Sequence, residues 1–326
     1  MSCCGSVRRD DPCSRRARRS PEIPLNARVP RYREAVTFNE GASVGGNRAR
    51  RRGRGVAIAG GGVVGLGAIA VLLLNLFTGG DFSGLLGGGT DAAPGAGGGS
   101  EIAQCETGAD ANEDDACRLA AGSLAIDQYW GETLEGYVEP ALVIVDGQTP
   151  SACGTASNQT GPFYCPPEQT VYIDPTFFAL LRERFEASAG SLAQLYVLAH
   201  EYGHHVQNLA GILEAYPTGD SGPDSNGVRI ELQADCLAGS WVGAMTEQED
   251  ESGVPYLQAP TAAQLADALD AAATVGDDHI QQESGGFVNP ESWTHGSSSQ
   301  RQRWFDAGYR DGPEACETFG IPGEQL

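Results

Sequence analysis

Ser-Leu-Ala-Gln-Leu-Tyr-Val-Leu-Ala-His-Glu-Tyr-Gly-His-His-Val-Gln-Asn-Leu, residues 191–209, is the stretch on which the reading of the fold turns. Leu192, Leu195, Tyr196, Leu198, Val206 and Leu209 recur at intervals of three and four, the period of a helix that buries one face. Ser191 with Gln194 reads as a capping-box start. On that helix His200 and His204 lie one turn apart and project to the same side. His-Glu-x-x-His on a helix is the spacing by which two neutral imidazoles reach one zinc ion while the glutamate, here Glu201, stands where it takes a proton from water. Tyr202 and the adjacent His205 point elsewhere and read as packing residues.

Two imidazoles leave a catalytic zinc one protein ligand short. A metzincin would continue with a glycine at position 207 and a histidine at 210, but the chain has Gln207 and Ala210. Downstream, Arg229-Ile-Glu-Leu-Gln-Ala-Asp-Cys236 is again helical by pattern, with Glu231 and Asp235 on one face. Glu231 is the expected third ligand. Asp235 is expected to accept the remaining ring N–H of a ligand histidine, fixing its tautomer, and is the alternative ligand. Asp277 and Asp278 are too few oxygens for calcium, which takes six or more.

Working outward, the 326 residues divide sharply by charge, although the whole carries a net −22. Residues 1–55 hold 14 Arg against 5 acids, while the chain after residue 78 holds 7 Arg against 38 acids. Between them Val56 to Phe77 carries no charge, long enough at about 1.5 Å per residue to span a bilayer's hydrocarbon layer. A signal peptide would have a shorter lead and a shorter apolar run. The expectation is therefore one transmembrane helix over 56–78, preceded by an Arg-rich disordered cytoplasmic leader, 1–55. A Gly-rich linker, 79–100, and a folded domain, 101–326, follow. The Arg bias predicts a single-pass cell-membrane protein with its N-terminus cytoplasmic and its domain extracytoplasmic. Ala57, Gly61 and Gly65 fall four apart and offer a face for homodimer packing. The strongly acidic domain disfavours nucleic acid as a partner.

Six cysteines lie in the distal part, an even number in a compartment that permits disulfides. Spacing suggests Cys105 with Cys117 and Cys153 with Cys165 as local loops, leaving Cys236 for Cys316. Ala116 to Tyr137 has helical periodicity, and Ala141 to Val145 and Thr170 to Asp174 read as short strands. Asp174-Pro175, Thr261 with Gln264, and Ser297 with Gln300 mark further helix starts. The fold class is α+β, helix-dominated, with a small sheet.

His200 to Gln207, Glu231 to Trp241, Gly161 to Cys165 (Gly-Pro-Phe-Tyr-Cys) and Thr294 to Trp304 together resemble the bacterial putative neutral zinc metallopeptidases. The resemblance spans about residues 101–320 and implies a zincin-like, gluzincin-like domain. It implies Zn2+ held by His200, His204 and Glu231, with Glu201 as general base. Members also carry a cytoplasmic lead, one membrane span and a glycine-rich tether. Peptide hydrolysis needs a further group to stabilise the oxyanion, and His295 is the candidate. Thr294-His295, followed six residues later by Arg301, is similar to an arrangement in the CAAX-type membrane metallopeptidases. The expected function is a membrane-anchored zinc peptidase acting on peptides or proteins. The alternative from another class is a non-catalytic envelope scaffold on a degenerate peptidase fold.

Overall fold

The computed structural model describes residues 37–53, 100–102, 105–185, 189–285 and 287–326. Val56–Phe77, the small-residue stripe within it and most of the Gly-rich linker lie outside the described residues. Among the described residues no helix is long and apolar enough to cross a membrane.

A five-stranded sheet backs the site. Its strands are β1 (Arg50–Gly53), β2 (Ser100–Glu101), β3 (Ala141–Asp146), β6 (Phe163–Cys165) and β7 (Thr170–Ile173), in the order β2-β1-β3-β7-β6. β1, β3 and β7 run parallel, while β2 and β6 are antiparallel edges. β4 (Gln148–Ser151) and β5 (Gly154–Ser157) form a separate hairpin. The central strands Leu142–Val145 and Thr170–Ile173 are buried continuously, which is why they are legible as Val- and Ile-rich runs without alternation.

Residues 37–53 belong to this body, which moves the expected boundaries. The N-terminal arm does not behave as leader: β1 pairs with β3 from Arg50↔Val143 to Gly53↔Asp146. Phe38, Ala42, Val44 and Ala49 are buried against the core. Asn112 locks the arm from below, accepting from the backbone N–H of Phe38 at 3.0 Å and donating to its carbonyl at 2.9 Å. The Arg content of the arm concealed the four apolar residues that dock it. Domain and arm therefore share one sheet.

The helices are α1 (Gly108–Glu113), α2 (Asp115–Thr133), α3 (Thr176–Phe185), α4 (Ser191–Leu209), α5 (Ile212–Ala215), α6 (Asn226–Ala244), α7 (Ala262–Thr274), α8 (Asp277–Gly285) and α9 (Ser298–Asp311). The capping boxes at Thr261 and Ser297 form as expected. The one at Ser191 does not: Gly190 is the N-cap, with no side-chain cap bond. Gln194 is drawn away instead, accepting from the buried Arg118 at 3.0 Å and donating to Asp115 at 3.2 Å. Tertiary pairing has overridden local capping.

α4 is the hub, packed between the sheet, α2, α6 and α7. Its approach to α6 is close at one point. A Cβ at Gly203 would sit 3.0 Å from both the Cα and the carbonyl oxygen of Ala234. Only hydrogen at that position lets the two helices meet, so the glycine inside the His-Glu-x-x-His motif sets how near Glu231 comes to the imidazoles. α9 covers α6 from the other side, and the disulfide Cys236–Cys316 ties α6 to the C-terminal segment. Cys105–Cys117 and Cys153–Cys165 complete the three pairings expected from spacing.

Candidate metal centre

Two helices build the site. α4 presents His200 and His204 with ring centroids 4.7 Å apart and nearly perpendicular. α6 presents Glu231, whose Oε2 lies 3.2 Å from His200 Nε2 and whose Oε1 lies 3.6 Å from His204 Nε2. One ligand atom from each of the three falls within 4.8 Å of the others, and all three side chains are buried. Although His200 Nε2 and Glu231 Oε2 are close, neither has a hydrogen-bond partner. Buried polar atoms gathered at one point without partners are costly; a borderline cation that accepts two nitrogens and a carboxylate oxygen, as zinc does, satisfies all of them. The residues present fit that ion.

Asp235 is not a ligand in this arrangement. Its Oδ1 lies 2.9 Å from His200 Nδ1 and accepts from the Tyr196 hydroxyl. Arg301 grips the same carboxylate, Nε to Oδ2 at 2.7 Å and Nη2 to Oδ1 at 2.9 Å. Burial opposes the charge on Asp235, but Arg301 and His200 outweigh it and hold the carboxyl below its ordinary range. Burial also opposes charge on His200, yet Asp235 and Glu231 lift its pKa to about 10. For Glu231, burial is likewise outweighed, by His204, His200 and His295, and the carboxyl is held low. Burial brings His204 down to about 4, which keeps its ring neutral. An anionic Glu231 and a neutral His204 are the states in which those side chains coordinate, whereas His200, charged in the metal-free pocket, would release its Nε2 proton to an incoming cation.

Glu201 is 3 % exposed and leaves Oε2 without a partner. Burial, the largest cause, raises its pKa to about 7, against the lowering effects of His200 and of the Tyr164 backbone N–H donated from β6. His295 is fully buried on the turn before α9. Its Nδ1 faces Thr294 Oγ1 at 3.0 Å and Asp277 Oδ1 at 3.3 Å, and its Nε2 has no partner. Asp277 Oδ2 collects the backbone N–H groups of Thr294, His295 and Gly296 at 2.8, 2.7 and 3.0 Å. Asp278 accepts from the backbone and hydroxyl of Ser298. Both acids thus serve the turn that carries His295. His205, as expected, is a packing residue, bonded to the Tyr164 hydroxyl and the Val138 carbonyl.

Sequence reasoning missed Tyr196, Gln207 and Asp277. Each touches a site histidine or the carboxylate holding one, and Tyr196 and Gln207 were hidden because both fit the pattern of an ordinary helix interior. The sequence marks Arg301 only by its spacing from His295; its partner is Asp235.

A family model described as putative neutral zinc metallopeptidase matches residues 33–319. The chain belongs to this family. Membership takes in the arm from residue 33, as well as the region from 101 that carries the four motifs. An uncharacterized protein of Mycobacterium tuberculosis H37Rv is 49 % identical over 223 residues, covering 68 % of this chain and 76 % of the relative. YpfJ of Escherichia coli K12, also described as uncharacterized, is 42 % identical over 222 residues, 64 % of this chain and 73 % of YpfJ. No solved structure matches the chain. In this zinc metallopeptidase family member, the donor set and the family description agree on the ion.

Proposed function

We propose that the protein is a zinc-dependent peptidase that hydrolyses peptide bonds outside the cytoplasm. The observation that carries the reading is the convergence of His200, His204 and Glu231 within 4.8 Å, beside a buried carboxylate, Glu201, that has a free oxygen. Zinc held by the three ligands supplies Lewis acidity, polarising the peptide carbonyl and acidifying water.

The protein's own groups do the rest. Glu201, with a pKa of about 7, is poised to take the proton of the attacking water and return it to the leaving amine, since a catalytic pKa near the working pH serves both transfers. His295 offers Nε2 to the carbonyl oxygen as charge builds there. Asp277 Oδ1, 3.3 Å from its Nδ1, holds the ring in that orientation. Asp235 and Arg301 hold the His200 ring in place.

One feature supports a peptide as substrate. Pro162, Phe177, Leu181, Val197, Ala271 and Val275 line a narrow apolar recess of about 20 Å³ that reaches His200 and Glu201, room for a methyl-sized group beside the scissile bond. The three disulfides support an oxidising compartment.

The test is hydrolysis of a fluorogenic peptide library by the full-length chain, purified with zinc, after chelation, and as Glu201→Gln. Cleavage by the wild type that chelation abolishes, zinc restores and Glu201→Gln lacks is the expected result. Zinc bound at one equivalent with no cleavage of any library member favours the non-catalytic scaffold.

A further inference from the structure

The two imidazoles are not held alike. His200 leans on a charged acceptor, Asp235. The Nδ1 of His204 lies 2.9 Å from Oε1 of Gln207, a neutral amide that is 1 % exposed.

The orientation of that amide is fixed by its other end. Gln207 Nε2 donates to the Ile230 carbonyl at 2.7 Å and to Gln233 Oε1 at 3.0 Å. A backbone carbonyl only accepts, so the NH2 group must face Ile230 and the oxygen must face His204. Gln233 is oriented the same way, because its Nε2 donates to the Cys316 carbonyl at 2.9 Å. Reading back from Cys316, each acceptor determines the next donor, and the last donor in the series is the Nδ1–H of His204. A proton on Nδ1 leaves the lone pair on Nε2, the atom that faces Glu231.

We propose that Gln207 is the positioning residue of His204, and that Gln207, Gln233 and the Cys316 carbonyl form an amide relay that sets the metal-binding tautomer of that imidazole. The inference rests on the zinc reading and deepens it. A neutral amide also suits the charge balance. Arg301 answers Asp235, and a divalent ion answers Glu231 and Glu201; another carboxylate at 207 would leave the pocket with an uncompensated charge. The relay ends on the cystine that joins α6 to the C-terminal segment, so the fixed point of the series is covalently anchored to the helix that carries Glu231.

The test is zinc affinity of the full-length chain, by competition with a chromophoric chelator, paired with the melting temperature of the metal-depleted protein. Three variants are compared: Gln207→Leu, Gln233→Leu and Gln194→Leu. Gln194 is an equally buried glutamine of the same helix that touches neither histidine. The expected result is a loss of about 10–100-fold in zinc affinity for Gln207→Leu, the usual scale for outer partners of metal ligands. A smaller loss is expected for Gln233→Leu and none for Gln194→Leu, even where all three lower the melting temperature. Should Gln207→Leu fail to fold, Gln233→Leu against Gln194→Leu carries the comparison. Wild-type zinc affinity in both relay variants, or an equal loss in all three, overturns the relay. A wild-type chain that binds no zinc overturns the metal reading itself.

Discussion

Arg301 clasps Asp235 through two nitrogens, 2.7 and 2.9 Å from the two carboxylate oxygens, with both side chains almost wholly buried. A buried ion pair contributes modest net stability, but removing one partner strands the other in a medium that cannot solvate it. Arg301→Met should therefore destabilise the fold by about 3–5 kcal/mol, measured by denaturant unfolding of the chelated protein. Zinc affinity should fall as well, because Asp235 loses the counter-charge that keeps it aligned with His200 Nδ1.

Glu201→Gln should separate binding from chemistry. The substitution keeps the volume and leaves His200, His204 and Glu231 untouched, so zinc content should stay at one equivalent. Turnover should fall by about 10²–10⁴-fold, the range for a lost general base, measured as kcat on any cleaved reporter peptide.

Asp127, which is no metal ligand, provides a pH test of the fold. Burial is the main cause that raises its pKa to about 7, against the Tyr137 hydroxyl that donates to it at 2.7 Å. The folded state thus holds this proton more tightly than the unfolded chain. The resulting stability is complete below about pH 4, the unfolded value, and is lost as pH rises through about 7. Asp127→Asn should flatten the melting-temperature profile between those limits and raise the melting point at neutral pH.

Gly203→Ala should push α4 and α6 apart. The new methyl would meet Ala234 backbone at 3.0 Å, and the cost of such overpacking is about 1–3 kcal/mol. Circular dichroism melts check the stability. A fall in zinc affinity checks that the closeness of these helices places Glu231.

Phe38→Ala should cost about 3–5 kcal/mol, since the ring is fully buried between the arm and the helices. An arm that were only a flexible leader would leave the melting temperature of the full-length chain unchanged.

The motif helix, the second helix with Glu231 and Asp235, and the two disulfides that close twelve-residue loops were legible because each depends on local spacing, and Cys236–Cys316 followed as the remaining pair. So were Ala141–Asp146 and Thr170–Ile173, whose buried runs are long enough to stand out. What escaped were features made by residues distant in sequence. β1 is four residues of Arg and Gly with no strand signature of its own, and it exists because β3 offers an unfilled edge. Gln194 looked like a cap and became a partner for Arg118, while Gln207 looked like helix interior and became a partner for His204. A side chain with two good local uses is decided by which distant group arrives, and periodicity carries no information about arrivals.

The pairing of Arg50 with Val143 and of Arg50 with Glu101 has a topological corollary. Hydrogen bonds of about 3 Å cannot be strung through some 30 Å of hydrocarbon, so the backbone at Gly53 and the backbone at Ser100 stand on one shore. Labels placed at Gly53 and at Ser100 should report the same compartment.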